Sequence, residues 1–167
     1  MYKRQVHHSA TGSGTFEHLT AGPTTLLDPT GEGTVGSAVK DSAIVAAARA
    51  AGIPVETVPQ LVAIAGDSNS KAQTEAKTIL RERAVVLGEA VSSLVGLFNP
   101  TRVVLGGQAF TDYPDTLNLI ASLIHQNSTD VDIRVTAARG RVQQQAAAAV
   151  AITAVAYDPL HAVEGAR

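Results

Sequence analysis

Apolar residues recur every three to four positions along most of the chain from Ser37 onward, the period of α-helices that bury one face. Val39, Ala43, Ala46, Ala47 and Ala50 form the first stripe, with Arg49 in its last turn. Gly52 followed by Pro54 stops it, so a helix is predicted from about Ser37 to Ala51. A short helix starts near Val58, with Pro59 in its first turn, Leu61, Val62 and Ile64 on its apolar side, and Gly66 at its end. Asp67-Ser68-Asn69-Ser70 reads as a capping cluster for a long helix from about Asn69 to Phe98. Its apolar positions run from Ala72, Ala76, Ile79 and Leu80 to Leu94, Val95 and Phe98, with Glu75, Lys77, Arg81 and Glu82 opposite them near the start. This pattern predicts one buried face early and more buried circumference later. Gly88 and Gly96 interrupt it at a cost of about 1 kcal/mol each relative to alanine, which predicts close packing against another element.

The period then changes. Asn99-Pro100 ends the helix, Val103-Val104-Leu105 is an all-aliphatic run, and Gly106-Gly107 follows, so a buried parallel strand and a close-turning loop are expected. Asp112-Tyr113-Pro114 opens a further helix with Leu117, Ile120, Ala121 and Ile124 as its stripe, broken at Asn127-Ser128. Asp132 to Ala137 alternates as a strand, and Val142 to Ala156 reads as an alanine-rich helix led in by Gln143-Gln144-Gln145. Alternating helices and strands place the chain in the α/β class, helix-rich.

Residues 6–36 lack a helical period and are rich in Gly, Thr, Ser and Pro, with one alternating piece at Thr15 to Thr20. A strand or hairpin and a long loop are expected there. This part should be poorly ordered, because its strand partners would lie upstream, and the stable unit should run from Ser37 to Ala156. Met1 to Gln5 has no pattern and reads as a read-through scar, which makes the chain a fragment of a longer parent. The tail, residues 161–167, reads as disordered.

Composition narrows the chemistry. With 45% hydrophobic and 17% charged residues the chain is globular, and a net charge of −2 with only scattered Lys and Arg gives no footprint for nucleic acid. The absence of cysteine excludes disulfides, thiolate metal sites and cysteine nucleophiles. No run approaches about 20 uninterrupted apolar residues and no signal-type apolar region opens the chain, so a cytoplasmic location and no membrane contact are expected.

The order of long helix, Asn-Pro-x-x-Val-Val-Leu-Gly-Gly, helix, strand and small-residue helix ending in Ala-Val-Ala-Tyr-Asp-Pro-Leu resembles the C-terminal half of the ROK family, over about Ser9 to Leu160. That family comprises repressors and sugar kinases sharing the actin-like ATPase (ribonuclease H-like) fold. The resemblance implies a partial C-terminal lobe over residues 37–160. It places Gly106 and Gly107 at the nucleotide side of the cleft. Ala10 to Leu19 is similar to the family's approach to a Glu-x-Gly-His motif, so Thr15 and His18 occupy sugar-contacting positions, although Thr15 and Glu17 replace the family's Glu and Gly. A Thr hydroxyl replaces an anionic acceptor poorly. Asp28 to Gly36 is similar to the family's cysteine-rich zinc loop with one residue deleted, and Asp28, Thr30 and Thr34 stand where thiolates would be. One carboxylate and two hydroxyls beside a histidine make a weak zinc site, so a metal-free loop with no cofactor is expected.

Each candidate keeps a plain alternative. Gly106 and Gly107 read either as a ligand-free strand-to-helix turn or as a nucleotide-proximal loop, and His18 as a structural histidine or a ligand. His7 and His8 would point to opposite faces of an extended segment. Asp112 and Asp115 suit helix starts, and Arg139 and Arg141 are solvated loop charges or an anion contact. The family's catalytic Asp and phosphate-binding motif would lie upstream of this chain, so no catalytic residue is assigned. Two functions follow from the resemblance. One is a non-catalytic regulator lobe with a sugar-like effector, DNA contact through an upstream N-terminal domain, and homo-oligomerisation. The other is a fragment of a sugar kinase that phosphorylates a hexose from ATP. Loss of the acceptor-holding Glu favours the regulator, since a kinase must hold the acceptor hydroxyl in line.

Overall fold

The computed structural model describes residues 15–127 and 130–136. Helices α1 (Val35–Val39), α2 (Asp41–Ala50), α3 (Val58–Gly66) and α4 (Gln73–Phe98) come first. Strand β1 (Arg102–Leu105), helix α5 (Gln108–Thr111), a 3₁₀ turn (Pro114–Thr116), α6 (Leu117–His125) and β2 (Asp132–Val135) follow. The expectations for residues 1–14, Ser128, Ala137, Arg139, Arg141, the helix at 142–156 and the tail lie outside the described residues. Among those described, no helix is long and apolar enough to cross a membrane.

The helix expected from Ser37 to Ala51 is two helices. Thr34 caps α1 through a capping box with Ser37, and Lys40 then takes an extended conformation at ψ 150° before Asp41 starts α2. The apolar period carries across this joint, which is why it was invisible in the pattern. Freed from the helical ladder, the Val39 carbonyl accepts from Arg83 Nε at 3.1 Å. Gly52, at φ 77°, closes α2 as expected. Helix α3 matches its expected span, and Thr57 adds a capping box with Gln60.

The long helix starts at Gln73 rather than Asn69. Asp67 and Ser70 spend their side chains on local turns, accepting from the N–H groups of Asn69 at 2.9 Å and Ala72 at 3.3 Å. At the other end Asn99 takes the left-handed conformation and its N–H closes on the Val95 carbonyl at 2.8 Å. The middle of α4 buries most of its circumference, but its last turn does not: Phe98 is 69% exposed. Gly88 is tightly packed, since a Cβ there would lie 2.7 Å from Leu123 Cδ1 and 3.4 Å from Ile120 Cα. Gly96 faces open space, contrary to expectation.

Two apolar clusters share α4. The first joins α1, α2 and α3 to its N-terminal half around Ile44, Ile53, Leu61 and Ile79. The second joins its C-terminal half to Leu105, Ile120, Ile124 and Val131. Gly88 meets Ile120 and Leu123, while Ser92 accepts from Asn127 and donates to the Leu123 carbonyl, so α4 and α6 run parallel.

Strands β1 and β2 pair in parallel, Val103 opposite Ile133 and Val104 opposite Arg134. The strand expected to be buried is buried on one side only. Val103, Leu105 and Ile133 face the second cluster, whereas Val104 is 60% exposed, on the face that carries the Arg102–Asp132 and Arg134–Asp132 ion pairs. An aliphatic triplet does not reveal which of its faces is covered.

Residues 15–34 also depart from expectation, because their backbone groups find partners within this chain. Thr20 bridges Thr34 in antiparallel fashion, Leu27 is buried in the first cluster, and the Glu82 carboxylate accepts from the N–H groups of Thr25, Leu26 and Leu27. We call this segment the strap.

Candidate functional site

The strap crosses the start of α1 closely enough to make a groove. Leu19 N–H closes a turn on the Phe16 carbonyl at 3.0 Å, and the N–H groups of Val35 and Gly36 donate to the carbonyls of Leu19 and Glu17, each at 2.8 Å. Gly36 permits this approach: a Cβ there would stand 2.9 Å from Glu17 Cβ. The resulting groove, about 320 Å³, is lined by Glu17 and His18 from the strap, by Glu32 and Thr34, and by α1 and its joint as far as Lys40. Two carboxylates, an imidazole, an ammonium and the hydroxyls of Thr34 and Ser37 surround it, an array of acceptors and donors suited to a small polyhydroxylated molecule.

His18, one of the two expected sugar-contacting positions, lines this groove. Thr15 does not share that site. Its hydroxyl is turned to its own segment and accepts from Glu17 N–H at 3.2 Å.

The zinc-loop positions are tied into turns. Asp28, at φ 67°, accepts from Gly33 N–H at 2.7 Å, from the Thr30 hydroxyl at 3.2 Å and from Glu32 N–H at 3.3 Å. The Ser37 hydroxyl, then the Gly33 N–H, hold its carboxyl below the ordinary range. Thr34 serves as the cap of α1. These groups are engaged in hydrogen bonds, and among the described residues no set of three His, Asp or Glu side chains is placed to hold a metal ion. The donor set does not fit zinc.

Gly106 and Gly107 lie apart from this groove. Gly107 stands at φ 105°, and its carbonyl accepts from the N–H groups of Phe110 at 3.0 Å and Thr111 at 3.2 Å. Nothing lies within 4 Å of a Cβ placed there, so its need for glycine comes from backbone conformation. The two residues that follow, Gln108 and Ala109, line a narrow crevice with Asp41, Arg83, Asp112 and Tyr113. Asp115 does sit in a helical first turn, that of the 3₁₀ segment, whereas Asp112 ends α5 and accepts from the Thr111 hydroxyl at 3.1 Å.

Arg83 is the residue the sequence reading missed in that crevice. Its side chain is 13% exposed and binds Asp41 Oδ1 at 2.8 Å. Burial pulls its guanidinium below the ordinary value, against the opposing charges of Asp41 and Asp112. Burial also raises the Tyr113 phenol, reinforced by Asp115. Arg83 follows Arg81 and Glu82 in a charged run of α4, which one-dimensional periodicity reads as a solvated face.

No protein-family model matches the chain, and no solved structure gives a significant match. It is similar to a protein of Mycobacterium bovis and two of Mycobacterium tuberculosis, each named a transcriptional regulator, at 37% identity over 95% of this chain. The chain spans 38% of the length of these curated relatives.

Proposed function

We propose that this chain is the effector-responding, non-catalytic lobe of a transcriptional regulator of the ROK type, with an actin-like fold and a zinc-free loop, acting in the cytoplasm. The carrying observation is the similarity to three proteins named transcriptional regulators, sustained over nearly the whole chain. DNA contact belongs to a part of the parent outside this chain, because a net charge of −2 with scattered Lys and Arg gives little bulk attraction for phosphates. The effector is a sugar-like molecule, and its seat is the groove between His18 and Lys40, whose side chains offer both donors and carboxylate acceptors. Two copies associate, using apolar surface such as Leu97 and Phe98 at the exposed end of α4.

Gel retardation tests the division of labour. The parent protein shifts duplex DNA, and this chain alone does not, even at low salt where phosphate contacts are strongest. An upstream reading frame with a kinase-type phosphate motif and no helix-turn-helix overturns the regulator reading, as does ATP-dependent phosphorylation of a hexose by the parent.

A further inference from the structure

Two adjacent residues of α4 each hold one side of the groove. Glu82 takes the strap: its Oε1 accepts from the N–H groups of Thr25 at 2.6 Å, Leu26 at 2.8 Å and Leu27 at 3.4 Å, and its Oε2 accepts from the Thr25 hydroxyl at 2.9 Å. Three successive N–H groups converging on one point form an anion-binding nest, and a carboxylate makes the stronger, charge-assisted bonds to it. Arg83 takes the joint between α1 and α2, through the Val39 carbonyl at 3.1 Å and Asp41 at 2.8 Å. Val39 and Lys40 line the groove on that side, and Glu17 and His18, in the first part of the strap, line the other. Higher on the helix, a Cβ at Gly22 would run into the Glu89 carboxylate, so the strap lies against α4 at two levels.

We propose that Glu82 and Arg83 are positioning residues that set the width of the groove by fixing its two walls to neighbouring points of one rigid helix. This rests on the reading of the groove as the effector site. Consecutive Cα atoms keep about 3.8 Å of separation, and the Val35 and Gly36 N–H groups bond directly to the Leu19 and Glu17 carbonyls, so the walls part only when one tether gives and these two bonds open with it. Arg83 is the firmer tether, since releasing it would strand a largely buried guanidinium and the Val39 carbonyl. The strap therefore gives first, lifting from Glu82 and carrying Glu17 and His18 away from α1. A ligand that spans His18 and the α1 wall holds the strap down, and by reciprocity a firm Glu82 tether raises the affinity for that ligand.

Amide hydrogen exchange on the full chain tests the tether without any ligand. In Glu82→Gln, exchange of the Thr25, Leu26 and Leu27 amides accelerates at least about tenfold. The Val35 and Gly36 amides, which are bonded to strap carbonyls, accelerate with them, while those of α3 and mid-α4 keep their rates. Glu82→Asp, which retains the charge on a shorter arm, falls between Glu82→Gln and the wild type. Acetate added to Glu82→Ala refills the nest and restores protection, which a merely structural loss would not allow. Acceleration confined to residues 25–27, with Val35 and Gly36 unchanged, overturns the proposal. So does equal acceleration in Glu89→Gln, or an unchanged pattern in Glu82→Gln. Titration with N-acetylglucosamine separates the two readings: binding that is abolished in His18→Ala and weakened about tenfold in Glu82→Gln supports both. Absence of binding to the wild type overturns the effector reading and leaves the exchange data to decide the tether.

Discussion

The two apolar clusters that share α4 are finished differently at their polar ends. Around the first, α2 and α4 also start without side-chain caps, but side chains close several other loose backbone ends: Thr34 and Thr57 cap α1 and α3, Asp28 binds its loop, Arg49 Nε donates to the Val55 carbonyl, and Glu82 and Arg83 tie down the strap and the joint. Around the second, α5 and α6 start without side-chain caps, and among the described residues the parallel pair leaves one face uncovered and the Thr136 hydroxyl is buried with no partner. The contrast shows where stability is concentrated and where surface is offered. The first region is locked by short-range polar chemistry, and the second relies on α4 and α6 packing over one side of a sheet.

Core truncation should separate the regions most strongly. Leu61→Ala, at a fully buried position of the first cluster, should cost about 3 kcal/mol in denaturant unfolding, whereas Val104→Ala on the uncovered sheet face should stay within about 0.5 kcal/mol. Equal losses would mean that the sheet face is covered in solution.

The two interior glycines of α4 should respond with opposite sign. Gly88→Ala forces a methyl against Leu123 Cβ at 3.2 Å and should destabilise by about 1 to 2 kcal/mol, the clash exceeding the gain in helix propensity. Gly96→Ala meets nothing within 4 Å and should stabilise by about 0.5 to 1 kcal/mol. Thermal melts of both variants would check the pair.

Removing a cap is a smaller perturbation. Thr57→Ala breaks the capping box of α3 and should cost about 1 kcal/mol, against under about 0.5 kcal/mol for the exposed Asp115→Ala in the second region.

Acid should loosen the first region locally. Burial raises the Glu82 carboxyl, but the bonds from Leu26 N–H, the Thr25 hydroxyl, and the Thr25 and Leu27 N–H groups outweigh it and leave the group below its ordinary 4.5. Its contribution is therefore complete above about pH 4.5 and fades as pH falls through the lowered value, because the unfolded chain takes up the proton first. Strap amides should lose protection in that window while the α3 amides keep theirs. Loss of strap protection already at neutral pH would contradict the assignment.

Much of this architecture was legible in the sequence, because helices packed by one face must repeat their apolar positions. The span of α3, the stops at Gly52 and Asn99, and both strands followed from such patterns. The break at Lys40 was not legible, since a joint that preserves the apolar period leaves no trace in it. For the site, the motif resemblance singled out His18 and Thr15, of which only His18 lines the groove, and the remaining wall residues gave no signal, because they come together only when the strap folds back over α1.

The sequence alone determined which segments are helical or extended, where most of them end, and that no thiolate chemistry is available, because propensity, period and composition act locally. Tertiary structure decided which side of β1 is covered, why Gly88 and not Gly96 must lack a side chain, and that Glu82 faces the nest of Thr25 to Leu27 instead of water. Those outcomes depend on what lies opposite a residue. A partner more than fifty positions away in the chain, as Thr25 is from Glu82, is set by the packing of whole elements and by no local rule.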